Sequence, residues 1–176
     1  MTMKTGTVIK RQLNIGILLM AIFSFSVFAD TVHNLKNVGQ GKMSWLFMDI
    51  YQASLFSSDG RYQPRQYPQA LTLRYQRNIS KNALLKATKQ QWQKLSIAQE
   101  RYQEWLPQLA RLWPEIKNGD SLTFWVSKNG LGDFYHNDNW LGRIDDPELS
   151  DAFLSIWLSK NSSEPGLRRK LIGERK

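Results

Sequence analysis

The sequence predicts an α+β fold built on a mainly antiparallel sheet, and three observations carry that expectation. Period-two alternation appears twice, between Lys42 and Arg77 and again between Ser121 and Ile144, and marks strands. Two amphipathic helical patterns lie between these blocks, and a capped helix follows the second. The order is therefore strands, a helical pair, strands and a helix, without the βαβ alternation of a parallel sheet.

Leu35 to Phe56 reads as two strands. Within it, Lys42–Phe56 alternates so that Trp45, Phe47, Tyr51, Ala53 and Leu55 share one face, with Asp49 in phase among them. Leu46, Met48, Ile50 and Phe56 make the other face apolar too, the pattern of a central strand covered on both sides. Gly39-Gln-Gly41 reads as a bend before it. Asp59-Gly60 and Pro64–Pro68 mark a loop, after which Leu71, Leu73, Tyr75 and Arg77 alternate in phase. Ser80 then suits a helix N-cap, with Ile79 and Leu84 spaced as a hydrophobic staple. The helix it starts places Leu84, Leu85, Thr88, Trp92 and Leu95 on one side and lysines largely on the other.

A second helix carries Tyr102, Trp105, Leu106, Leu109 and Trp113, with Pro107 expected to kink or restart it and Pro114 to close it. Strands follow at Ser121–Ser127, Gly132–His136 and Trp140–Ile144, joined by turns at Asn129-Gly130 and Asn137–Asn139. Asp146 before Pro147 predicts an N-cap with proline in the first turn, and Leu149, Ala152, Phe153, Ile156 and Trp157 form the buried side of that helix. Ser163–Gly166 ends it, ahead of a short basic helix.

The first 29 residues read as an export signal. Lys4, Lys10 and Arg11 precede an uncharged run from Gln12 to Ala29, and Val27 and Ala29 supply the small residues of a cleavage site before Asp30. The rival reading is an uncleaved anchor, because the run approaches spanning length. The expected organisation is a signal over residues 1–29 and a domain over residues 30–176, located in the periplasm or secreted. Loss of the signal lowers the formal charge from +9 to +6, and much of what remains lies in Arg168, Arg169, Lys170, Arg175 and Lys176 of a solvated tail. Nucleic acid is therefore not an expected partner, and membrane contact is limited to an uncleaved signal or weak touch of the tail. With no cysteine, disulfides, thiolate metal sites and cysteine lipidation are excluded.

Catalytic templates mostly fail. Only His33 and His136 are present, without a zinc motif, and no nucleophile elbow occurs. Asp145, Asp146 and Glu148 are explained by helix capping. No metal or cofactor is expected. What stands out is Asp49 and Arg77 on otherwise apolar strand faces, where they pair with each other or meet a ligand. Tyr51 and Tyr75 share those faces as core residues or as polar lining of a cleft. The seven tryptophans suit either a packed core or a lined cleft.

The run Val38–Phe56 resembles the opening motif of bacterial secreted chalcone isomerase-like proteins. So do Leu73–Ser80, Trp105–Pro107, Phe124, Gly142–Pro147, Ala152–Leu158 and Ser163–Pro165, so that the likeness spans about residues 35–172. The resemblance implies an open-faced β-sandwich, a large mainly antiparallel sheet covered by a helical layer. Plant chalcone isomerases cyclise chalcones to flavanones between these layers, and non-catalytic members bind fatty acids. The plant enzymes carry an arginine just ahead of the strand matching residues 42–56, a catalytic threonine within it and a tyrosine near the next helix. Here Leu35–Met43 offers only Lys36 and Lys42, the threonine position falls near Tyr51, and the tyrosine position near Asn78 or Ile79.

The leading expectation is a monomeric, non-catalytic protein that binds a small apolar or amphipathic ligand, a fatty acid or aromatic compound, between sheet and helices. Arg77 would meet a carboxylate or phenolate, and Tyr51 and Tyr75 would supply hydrogen bonds. The alternatives are an isomerase or lyase that uses Tyr51 and Arg77 to steer a proton, and a structural envelope protein in which Asp49 and Arg77 form an internal pair.

Overall fold

The computed structural model describes residues 34–174, and in it every neighbour in the sheet is also the next strand in the chain. The strands are β1 (Lys36–Trp45), β2 (Met48–Ser57), β3 (Gln69–Tyr75), β4 (Ser121–Val126), β5 (Gly132–His136) and β6 (Asn139–Ile144), all paired antiparallel. Helices α1 (Lys81–Lys94) and α2 (Gln99–Leu112) connect β3 to β4, while α3 (Pro147–Leu158) and α4 (Pro165–Leu171) follow β6. This is the expected α+β arrangement, an open antiparallel sheet with one helical layer. The expected signal, and the tail residues Arg175 and Lys176, lie outside the described residues.

Local chemistry starts the helices where the sequence predicts. The Ser80 side chain accepts from the Ala83 N–H at 3.2 Å, and Asp146 accepts from the Glu148 and Leu149 N–H groups ahead of α3. Helix α2, however, runs unbroken through Pro107. Pro107 and Gln103 lie on its exposed side, so the carbonyl that proline leaves unbonded can meet water.

Cross-strand register sorts the sheet into two faces. Leu55, Leu71, Phe124 and Phe134 form one row under the helices, and Ala53, Leu73 and Leu122 form the next. Above them Phe124, Phe134, Phe153 and Trp113 pack with ring centroids 4.4–5.8 Å apart. Such pairs contribute roughly 0.5–1.5 kcal/mol each beyond their area. Tryptophan N–H groups tie the helices to one another: Trp92 of α1 donates to the Ala152 carbonyl of α3, and Trp105 of α2 to the α3 cap Asp146, each at 2.9 Å.

Among the described residues the opposite face carries no helix. It closes itself with its own side chains, among them the Thr72–Thr123 hydroxyl pair at 2.9 Å. The buried Asp133 carboxylate takes Arg143 in a two-pronged bond of 3.1 and 2.9 Å and the Trp140 N–H at 3.0 Å.

Several expectations are corrected. Lys42–Phe56 is not one strand but a hairpin, because the chain reverses at Leu46-Phe47. Strand β2 is covered on one face only. Gly39 and Gly41 lie within β1, not in a bend, and α4 presses on them: a Cβ at Gly39 would stand 2.1 Å from the Lys170 carbonyl oxygen. The basic helix is accordingly docked through buried Leu167 and Leu171, with the Arg168 guanidinium on the Leu158 carbonyl, and is not a solvated tail.

Candidate functional site

At one end of the sheet the helical layer stands off from β2 and β3 and leaves a cavity of about 220 Å³. Its floor is Tyr51, Leu73, Tyr75 and Leu122; its roof is Leu84, Thr88, Trp113, Phe153, Ile156 and Trp157. The rim is partly exposed. Met43 and Ile50 contribute from the hairpin, Ala83, Ala87 and Gln91 from α1, and Ser163 and Glu164 from the turn before α4. Across that rim the Ser163 hydroxyl donates to the Gln91 side-chain oxygen at 2.7 Å, joining α1 to the turn.

Two phenols dominate the polar lining. Tyr51 and Tyr75 are direct cross-strand partners, with rings meeting edge-on at 5.7 Å. The Trp157 N–H donates to the Tyr51 hydroxyl at 2.9 Å, which leaves the phenol's own proton available. Burial pushes the Tyr51 pKa up to about 12, against the Trp157 hydrogen bond and helped by Glu164. Burial, with Tyr51 alongside, raises Tyr75 further still. Both are neutral donors at physiological pH. The Trp113 N–H is sealed from solvent and has no partner among the described residues.

The lining carries one charged side chain, Glu164 at the rim. Among the described residues no cluster of three or more histidine, aspartate or glutamate side chains is placed to hold a metal ion. The cavity can therefore accept apolar surface and offer hydrogen bonds to a neutral acceptor. It supplies no cation to a buried carboxylate, whose unpaired burial is costly.

Sequence-predicted residues divide sharply here. Tyr51 and Tyr75 meet in the cavity, but Arg77 is not among the lining residues. Strand β3 ends at Tyr75, so the alternation that put Arg77 in phase no longer applies two residues later. Arg77 is exposed, with Nη1 3.1 Å from the Met48 sulfur. Asp49 does not pair with it. The hairpin turn brings Asp49 to Ser44 at 2.6 Å and Lys42 at 2.9 Å, and these hydrogen bonds hold its carboxyl below the usual range. Lys42 is therefore engaged outside the cavity. The sequence reading missed Trp113, Trp157 and the α1 rim as lining. The readable signal was Ala83 and Ala87, small residues one turn apart beside the buried Leu84 and Thr88 stripe.

Comparison with known proteins places this geometry. A family model described as chalcone isomerase-like matches residues 27–173. An uncharacterized protein of Haemophilus influenzae is 28% identical over 160 residues, covering 90% of this chain and 78% of its own. In three dimensions the chain is similar to a fatty-acid binding protein of Arabidopsis thaliana, with a TM-score of 0.59 at 13% identity over 80% of this chain and 87% of the other. The chain belongs to the chalcone isomerase-like family.

Proposed function

We propose that this chalcone isomerase-like protein binds a small apolar or amphipathic molecule between its sheet and helical layer without converting it, and does so outside the cytoplasm. The observation that carries this reading is the cavity with its two neutral phenols. At about 220 Å³ it exceeds the ~150 Å³ dry cavity that takes a benzene ring and is below the roughly 300–1,000 Å³ of drug-sized sites. One aromatic ring or a short stretch of alkyl chain fits, and a longer chain extends through the rim. The fatty-acid binding protein of the same fold supports a lipid-like ligand. The absence of lysine, arginine and histidine from the lining favours a neutral head group inside, with any carboxylate left at the rim. Among the described residues no hydrogen bond joins Glu164, the one carboxylate of the lining, to Tyr51 or Tyr75, which supports the non-catalytic reading.

Titration with dodecanol and dodecanoate tests this. Dodecanol should bind saturably and at least as tightly as dodecanoate at pH 7. Failure of both to bind, together with no ligand mass released by denaturation of natively purified protein, would overturn the reading. Export is supported by the signal pattern of residues 1–29. The protein recovered from a bacterial periplasm should begin at Asp30, as read from its intact mass.

A further inference from the structure

We propose that the tip of the β1–β2 hairpin docks the protein on an anionic lipid bilayer, with the cavity rim turned toward the membrane. Trp45, Leu46, Phe47 and Met48 form an unbroken apolar run at that tip, exposed by 61%, 65%, 105% and 40%. Single exposed apolar residues are ordinary; four in succession on a protruding turn are not.

Backbone geometry sharpens the point. Leu46 and Phe47 both adopt positive φ, 47° and 66°, a region that bulky side chains rarely enter. Tight hairpin turns of this kind normally recruit Asn, Asp or Gly. The β5–β6 turn does so with Asn137 and Asp138 at φ 48° and 65°. The same backbone problem is thus solved once with polar residues and once with Leu-Phe, whose side chains project into solvent.

Shape and charge select the occupant. A convex two-residue turn falls short of the ~800 Å² per partner that a stable protein interface buries. A bilayer interface accepts such a wedge, with tryptophan at the headgroup level. Arg74 and Arg77 are exposed next to the hairpin, while Lys42 is engaged by Asp49 behind the turn. On α1, Lys81 bonds the Ala110 carbonyl and Lys89 lies over the Tyr102 ring, which leaves exposed Lys86 and Lys94 as its solvent-facing cations, and Glu164 is the acid at the rim. The two exposed arginines beside the hairpin, Arg77 in contact with Met48 of the tip itself, complement anionic headgroups. The tip is also continuous with the cavity, because Met43 and Ile50 line it from the same two strands. The docking does not depend on the cavity being filled.

Tryptophan quenching by brominated lipid tests the proposal on the full chain. Residues 1–29 contain no tryptophan, so the signal reports the domain whether or not that segment is retained. Phosphatidylglycerol-containing vesicles should quench, pure phosphatidylcholine vesicles much less, and added salt should reverse the effect. Trp45→Phe should abolish quenching and Trp140→Phe should preserve it. Leu46→Ser with Phe47→Ser should lower the quenched fraction about tenfold or more at equal lipid, with an unchanged circular-dichroism melt. The proposal is overturned by absence of quenching, or by quenching that survives Trp45→Phe. It is equally overturned if the tip substitutions change the sedimentation mass while vesicles leave the fluorescence unaltered, since the occupant is then a second copy.

Discussion

Tyr75 separates binding from stability at the level of one atom. Its hydroxyl lies in the cavity with no hydrogen bond among the causes of its raised pKa, so Tyr75→Phe removes a buried polar group that packing does not need. Thermal stability should stay level or rise slightly, while affinity for dodecanol falls about two- to tenfold, the net worth of roughly one hydrogen bond. A calorimetric titration beside a melting curve checks both halves. Asp120 is the residue where acid should be felt. Bonds from the Asn137 side chain, the Lys117 N–H and His136 hold its carboxyl at about 2. Because the folded value lies below the unfolded one, its stabilisation is complete above the ordinary carboxylate range and is lost as pH falls toward about 2. Asp120→Asn should lower the Tm at pH 7 and converge on the parent near pH 2, as melting curves across that range would show. At this scale Tyr51 and Tyr75 were legible because period-two phase holds inside each strand. The place of Arg77 was not, because it lies past a strand end, and neither was the partner of Asp49, because the Leu46-Phe47 turn folds Lys42 and Ser44 back onto it.

Helix starts were legible for a related reason: a cap is written in a few adjacent residues, as Ser80 and Asp146 show. The β1–β2 turn was not, because Leu46-Phe47 carries none of the Gly or Asn chemistry that announces a reversal. The run of alternating apolar residues therefore passed straight through it. The docking of α4 on β1 was illegible too, since a glycine that admits a neighbouring backbone looks in sequence like one that makes a bend. Gly39→Ala tests that contact. The new Cβ would stand 2.1 and 2.7 Å from the Lys170 and Leu171 carbonyl oxygens, and backbone atoms cannot rotate away as a side-chain tip can. Helix α4 should lift off the edge strand, exposing Leu167 and Leu171, whose burial is worth roughly 1.5–3 kcal/mol each. Trypsin should then cut after Arg168, Arg169 and Lys170 far faster than in the parent, while the sheet and the other helices retain their amide-exchange protection.

For the whole molecule, element order gave the fold class but not which face the helices cover. Both faces of β2 are rich in apolar residues, and on the side of the sheet that no helix covers among the described residues, exposed Arg143 and Trp140 close over the buried Asp133. The tryptophans divide accordingly: Trp92 and Trp105 bond the helical layer, Trp113 and Trp157 line the cavity, Trp125 is half-buried on β4, and Trp45 and Trp140 face solvent. A fold that packs Phe124 and Phe134 against Phe153 and Trp113, and leaves about 220 Å³ unfilled beside the latter two rings, forgoes stability there. Filling the space should recover it. Thr88 lies on the buried face of α1 and lines the cavity, and Thr88→Met replaces a hydroxyl with a flexible apolar chain of higher helix propensity. The Tm should rise by about 2–4 °C, equivalent to about 1 kcal/mol for a domain of this size, while dodecanol binding falls at least about tenfold. A rise in Tm with binding intact would show that ligand enters elsewhere. A fall in Tm would mean that the space beside Thr88 is already needed by the side chains around it.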